Sequence, residues 1–372
     1  MPSSFGNTLR VSIFGQSHSA GIGCVVEGLP SGHHVDLDAL AAFMARRAPG
    51  QGSWTTPRAE PDAVKVVAGL NVRGDTCGAP LALLIENTNT RSQDYDRLLT
   101  HPRPGHADWP AQAKWGDSQD VRGGGHFSGR LTAPLCAAGG IARAILGERG
   151  VRVAAHLASI AEVEDEPFAP LPGTVLDRQL EAVTAARPLT TIDSAVARRM
   201  AQAIDAARGD QDSVGGTIEC VATGLPAGVG SPMFDGLENL LARALFGIPA
   251  IKGVEFGAGF AAARLRGSED NDPWHTDGSE VMPTSNNAGG ILGGLSTGAP
   301  IILRVAIKPT SSISRPQQTI DMVRGKDDTV EVAGRHDPCI APRAVPVVEA
   351  TCALALLDAW LSFPPEHARR NA

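Results

Sequence analysis

The chain has 372 residues, of which 42% are hydrophobic and 20% charged, and its formal net charge is −7. This apolar content supplies a sizeable core and excludes a disordered chain. The acidic balance excludes a general affinity for nucleic acid or anionic membrane, so any basic site must be local.

In chain order, short β-branched runs at Leu9 to Phe14 and Ile22 to Glu27 read as strands. A helix follows, with Asp36 as its cap, Leu37, Leu40, Ala41 and Met44 on one face, and Pro49-Gly50 past its end. Arg46 and Arg47 fall in its last turn. Further strands are expected at Ala63 to Val67, Leu81 to Ile85, Val151 to Ala158, Gly216 to Ala222 and Ile301 to Ile307. The segments Leu131 to Leu146 and Ala344 to Leu361 are apolar nearly all round, which describes helices covered on most sides. Glu349 and Asp358 interrupt the longest apolar stretch, so it reads as a buried helix and not a membrane span. These elements predict an α+β fold, a β-α-β sandwich with antiparallel sheets outside a buried helical layer. With no linker composition and no fixed-period repeat, residues 1–372 read as a single domain. The six cysteines lack a CxxC pair or metal-ligand spacing and suit buried thiols in a reducing compartment; no metal is expected. The opening MPSSFGNTLRVSIFGQ has no basic stretch followed by an apolar run, so a cytoplasmic location is expected.

Several segments carry candidate chemistry. Gly15-Gln16-Ser17-His18-Ser19 follows the first strand, where side chains reach clefts. It is not a hydrolase nucleophile elbow, because position 19 is Ser and a strand follows. Arg103-Pro104-Gly105-His106-Ala107-Asp108 sets a histidine on a turn between charges of both signs, with Asp108 able to cap the next helix. Arg122 through Arg130 places three glycines and two flanking arginines before an apolar helix, an arrangement suited to an anion. Ser285 to Gly294 and Lys308 to Ser312 flank the strand at Ile301, and together could present glycine backbone, hydroxyls and an ammonium group to a phosphate and a flat ring. Arg335-His336-Asp337-Pro338-Cys339 precedes the last helix, with Arg343 beyond it; a carboxylate beside Arg and His suits proton transfer.

In this order, GQSHS, RPGHAD, RGGG..S.R.T, IPAIKGVEFG, SNNAGGILGG, KPTSSI and RHDPCIAPRAVPVVEA resemble the successive motifs of chorismate synthase across almost the whole chain. The resemblance implies conversion of 5-enolpyruvylshikimate 3-phosphate to chorismate and phosphate, with reduced FMN required although there is no net redox change. It also implies a homotetramer and, at this length, an external source of reduced flavin, so that NADPH acts only indirectly. His18, His106 and Asp337 match the family's catalytic positions: His18 near the leaving phosphate, His106 near flavin N1, and Asp337 assisting proton transfer at flavin N5. Ser17, Arg47, Arg130 and Arg335 match substrate-binding positions. His106, Ser128, Ala250, Gly293, Lys308, Pro309, Thr310, Ser311, Ser312 and Arg335 match positions that hold FMN; His126 and Phe127 do not match the usual pair there, but a glycine-rich turn can contact flavin through its backbone whatever its side chains.

The chain departs from the family pattern at Gln16, Ser19, Ala48, Ser53, His126, Phe127, Gly129 and Leu131. Several basic groups are thereby missing, and each lost charge-assisted contact weakens anion binding by roughly 1.5–3 kcal/mol unless replaced. Arg58, Arg91 and His126 are the candidate replacements. The depleted set keeps an alternative open, a flavin-binding paralogue without turnover that acts as a binding or regulatory protein.

Overall fold

The computed structural model describes residues 3–50, 52, 55, 62–88, 97–185, 189–278, 281–332 and 336–366. One antiparallel sheet has the order β1-β2-β3-β5-β4, formed by β1 (Ser4–Phe5), β2 (Arg10–Gly15), β3 (Gly21–Glu27), β4 (Lys65–Ala68) and β5 (Leu81–Glu86). A second sheet begins with β6 (Arg152–Ile160), β7 (Val163–Glu164), β8 (Gly216–Thr223) and β9 (Ile251–Phe256). Two short hairpins, β10 (Trp274–Thr276) with β11 (Val281–Pro283) and β12 (Ile291–Leu292) with β13 (Leu295–Ser296), precede its last strand, β14 (Ile301–Ile307). Its order is β7-β6-β8-β14-β9, and β15 (Gln317–Asp321) pairs with β16 (Lys326–Val330) apart from it.

Between the sheets lie α3 (Thr132–Glu148) and α8 (Ala341–Ser362), with α1 (Leu37–Arg47) and α6 (Leu237–Leu245) packed against them. Helix α3 meets β3 and β5, and α8 meets β6 and β8, so the expected α+β sandwich with a buried helical middle is what the chain forms. Helices α2 (Asp108–Trp115), α4 (Thr174–Thr184), α5 (Ser194–Gly209) and the short α7 (Gly267–Asp270) lie among the connections. Strands β6, β8 and β14 are apolar on both faces for a reason. Val153, Ala155, Ile218, Cys220, Leu303 and Val305 face the helical layer, whereas Ala154, Val221 and Ile302 pack beneath Leu176, Leu180 and Val183 of α4. Strand β9 escapes sequence reading because Lys252, Gly253 and Glu255 break its pattern.

The carboxylates of α8 have specific partners. Asp358 accepts from the backbone N–H groups of Asn7, Thr8 and Leu9, which anchors the start of the first sheet to the last helix. Glu349 accepts two bonds from Arg46, at 2.6 and 2.8 Å, and a third from the Ala155 N–H. Helix α8 is long and apolar enough to cross a membrane, but 89% of its most apolar window is buried inside the protein. All the cysteines except Cys77 are buried, and none is in a disulfide.

Helices α3 and α8 approach so closely that a Cβ on Gly139 would lie 2.4 Å from both the Cβ and the carbonyl oxygen of Ala350. The backbone of α8 cannot yield without moving the whole middle layer. Gly139→Val is therefore expected to cost about 3 kcal/mol, the upper part of the usual range for overpacking. Urea unfolding at neutral pH checks this, and an unchanged midpoint would mean that the two helices slide apart freely.

Candidate active site

A cavity of about 560 Å³ opens at one end of the helical layer, where α1 ends and α3 and α8 begin. Thr132 at the start of α3, and Ile340, Arg343 and Ala344 at the start of α8, form part of its wall. Two helix N-termini thus abut one space, and their dipoles favour an anion there. The opposite wall comes from Phe246 to Lys252, after α6, and from Lys308 to Ser312, after β14. The turn His126 to Arg130, Gly123, and the Arg103–Ala107 loop add to it.

Arg47, Arg103, Arg130, Lys252, Lys308 and Arg343 all reach this cavity. Arg47 and Arg130 are buried and share a carboxylate from outside the cavity lining, that of Asp62. Arg47 Nε also donates to Thr132 Oγ1 at 2.9 Å, and Arg130 Nε donates to Asn87 Oδ1 at 3.1 Å. Burial, with the positive charges of Arg343 and Arg130 nearby, pulls the Arg47 guanidinium below its ordinary value despite Asp62. Burial and the neighbouring Lys252 likewise lower the Lys308 ammonium. Arg343 bridges the site, donating from Nε to the Arg47 carbonyl at 3.0 Å and from Nη1 to Asp337 Oδ2 at 2.6 Å.

The glycines of the turn at 122–127 are required by its shape. Gly123 and Gly124 have φ of 63° and 83°, in the left-handed region where a side chain is strained. A Cβ on Gly123 would also meet the His18 ring and Ser17 Oγ at 2.6 Å, and one on Gly124 would lie 3.5 Å from His106 Nε2. Bare backbone therefore lines the cavity between two histidines. Among the described residues, the buried Thr310 Oγ1 and Ser17 Oγ find no hydrogen-bond partner, and such groups cost free energy unless a ligand or water satisfies them.

The model of the chorismate synthase family matches residues 9–361. The chain belongs to the chorismate synthase family. It is 47% identical to the chorismate synthase of Lancefieldella parvula, over 98% of both chains. It is 45% identical to that of Methanocella arvoryzae, over 96% of this chain and 94% of the relative. A solved chorismate synthase crystal structure superposes with a TM-score of 0.75 at 27% identity, covering 96% of this chain and 93% of the other.

The fold gathers most of the residues that the chorismate synthase motifs single out. His106, His126, Phe127, Ser128, Ala250, Lys308, Pro309, Thr310, Ser311 and Ser312 line the cavity, as do Arg47, Arg130 and Asp337. Ser17 and His18 do not: they stand behind Gly123, which presents its backbone in their place. Gly293 is also outside the lining. It forms the turn of the β12–β13 hairpin, and Ser285 to Gly294 does not join Lys308 to Ser312 in one surface. The seven extended residues of β14 separate the two segments, a span of roughly 20 Å. Gly289 and Gly290 instead admit the backbones of Gly257 and Pro300. Arg335 lies outside the described residues, as do Ser53, Arg58 and Arg91.

Two local expectations are corrected. Asp108 does not cap α2, whose cap position is Ala107; its carboxylate turns back to Arg103 and His106. Of the two arginines flanking the glycine turn, only Arg130 enters the cavity, because Arg122 pairs with Asp120 at the surface. Among the departures from the family pattern, His126 is held by the Gly15 carbonyl and Ser3 Oγ. Its side chain thus ties the first sheet to the cavity wall. Arg103, Lys252 and Arg343 are site cations that the sequence reading left out; each lies inside a quoted motif, which is the signal that could have found them.

Proposed function

We propose that the chain is a lyase of the shikimate pathway that eliminates phosphate from 5-enolpyruvylshikimate 3-phosphate, in the anti-1,4 sense, to give chorismate. The observation that carries this reading is the convergence of six cationic side chains and two helix N-termini on one cavity of an acidic protein. A substrate with a phosphate and two carboxylates needs fixed cations of this kind. Arg47 and Arg130 are the buried members of that set beside half-buried Arg343, and Lys252 and Lys308 come from the other wall.

The residues present also fit reduced FMN. Thr310 Oγ1, which finds no partner among the described residues, stands beside Lys308, Ser311 and Ser312, a donor set suited to a phosphate, and the backbone of Gly123 leaves room for a flat ring. When bound, reduced FMN supplies electron density to the allylic system and recovers it, so that no net oxidation results. The chain's own groups do the rest. The cations neutralise the departing phosphate, His106 in the cavity wall offers a proton at Nε2, and Asp337, oriented by Arg343, stands as a proton acceptor. His18 acts from behind Gly123 on the charge balance around the leaving group, with Ser17 beside it.

The proposal includes a cytoplasmic homotetramer supplied with reduced flavin by an external reductase; the large exposure of Met233, Phe234 and Phe260 is in keeping with subunit contacts. Anaerobic incubation with 5-enolpyruvylshikimate 3-phosphate and chemically reduced FMN is expected to release chorismate and phosphate in equal amounts. NADPH with oxidised FMN in place of the reduced flavin is expected to give neither. Flavin binding without either product under the first condition would turn the reading to a paralogue that binds but does not turn over.

A further inference from the structure

Asp108 is the first residue of α2, where an acidic side chain ordinarily caps the helix or complements its dipole, yet it makes no capping bond. Its carboxylate points back across the Arg103–His106 turn. Oδ1 accepts from His106 Nδ1 at 2.5 Å and from Arg103 Nη2 at 2.9 Å, while Oδ2 accepts from Arg103 Nε at 2.8 Å and from the Arg103 backbone N–H at 3.0 Å. Arg103 Nη1 donates onward to Ser312 Oγ at 3.1 Å, so the same guanidinium fastens this turn to the Lys308–Ser312 segment. Both partners are close to fully buried, with side-chain exposures of 5% for Arg103 and 10% for Asp108.

We propose that Asp108, gripped by Arg103, is a positioning residue that fixes the tautomer and ring orientation of His106. The argument is one of donors and acceptors. Arg103 has no acceptor, so its approach to His106 Nδ1 at 3.0 Å is not a bond that an N–H at Nδ1 can receive. Both groups donate to the carboxylate. Nδ1 therefore carries hydrogen, and the ring nitrogen left for proton exchange is Nε2, which faces Gly124 on a side chain that lines the cavity. A carboxylate in this position holds the ring, as the orienting member does in other carboxylate–histidine pairs. The Arg103 and His106 contacts outweigh burial and hold the Asp108 carboxyl well below the ordinary range, so the orienting charge persists across the working pH. The inference rests on the reading of His106 as a proton donor in the proposed elimination.

Nitrogen-15 NMR of the wild-type protein labelled at histidine tests it without turnover. The expected result is a neutral His106 protonated at Nδ1, with that proton shifted far downfield by the short bond to Asp108. In Asp108→Asn the expected result is loss of that downfield proton and a mixture of the two neutral tautomers of His106. The kcat should fall 10- to 100-fold, the KM for the phosphate substrate should change less than threefold, and Asp108→Glu should recover part of the kcat. A neutral His106 protonated at Nε2 in the wild type would overturn the proposal. So would an Asp108→Asn variant that loses only thermal stability while the tautomer of His106 stays as in the wild type. If Asp108→Asn does not fold, the wild-type tautomer alone decides. A wild type with the expected tautomer but no turnover would reject the elimination reading and leave the positioning role standing.

Discussion

Asp62→Asn is expected to destabilise the protein by about 3–5 kcal/mol at neutral pH, the usual cost of removing one partner from a buried ion pair. The Asp62 side chain is fully buried, and its carboxylate is shared by Arg47 and Arg130, which are themselves buried on α1 and ahead of α3. An amide of the same size keeps the packing but takes the shared Asp62 charge away from two guanidiniums in a place where water cannot screen them. Burial raises the Asp62 carboxyl, but the attraction of Arg47, then Arg130, outweighs it, so the folded-state value lies below the ordinary 3.8. A depressed value means that the contribution is fully present above the unfolded value and is lost as pH falls through the folded one. Wild type should therefore keep this stabilisation to below pH 4, and the variant should lack that part of the acid sensitivity. Urea unfolding from pH 7 down to pH 3 measures both. Added inorganic phosphate should restore part of the variant's stability, because an anion in the adjoining cavity can take the carboxylate's place. Equal urea midpoints for the two proteins would mean that the guanidiniums relax to solvent when Asp62 is neutral.

The same pair shows what sequence can and cannot disclose. The two long apolar helices were legible because their composition admits no solvent face, and β6, β8 and β14 because β-branched runs bounded by Gly and Pro leave few alternatives. Arg47 and Arg130 were legible as members of ordered motifs. Asp62 was not: it sits in a segment without periodicity, and it joins arginines 15 and 68 residues away through tertiary packing alone. The position of Ser17 and His18 behind Gly123, and of Gly293 away from the cavity, likewise depends on how two distant turns meet. A motif names the residues that matter without saying which side of a glycine they stand on.

His156→Gln is expected to cost a similar 3–5 kcal/mol below about pH 6.5, and to flatten the decline of stability above it. As an isolated histidine in a strand, His156 has no visible partner in the sequence. Strand pairing supplies one, since His156 on β6 lies opposite Glu219 on β8. Its Nδ1 is 3.1 Å from Asp165 Oδ2 and its Nε2 3.3 Å from Glu219 Oε2, with the ring fully buried and edge-on to Phe168. Two carboxylates facing the two ring nitrogens call for an imidazolium, which donates to both. The carboxylates in turn bind the N–H groups of Ile192, Asp193 and Phe168, and Arg304 lies 3.7 Å from Glu219, so one charged cluster ties the outer segment to the second sheet. Burial lowers the His156 value, but the bonds to Asp165 and Glu219 outweigh it and leave it above the ordinary 6.5. A raised value gives stability that is complete below the unfolded value and drains away as pH climbs through the folded one. Unfolding free energies at pH 6, 7, 8 and 9 should therefore fall for the wild type and change less for the variant, in which no proton is lost at this site. Parallel slopes for the two proteins would show that His156 is neutral throughout, and that one of its two carboxylates carries the proton instead.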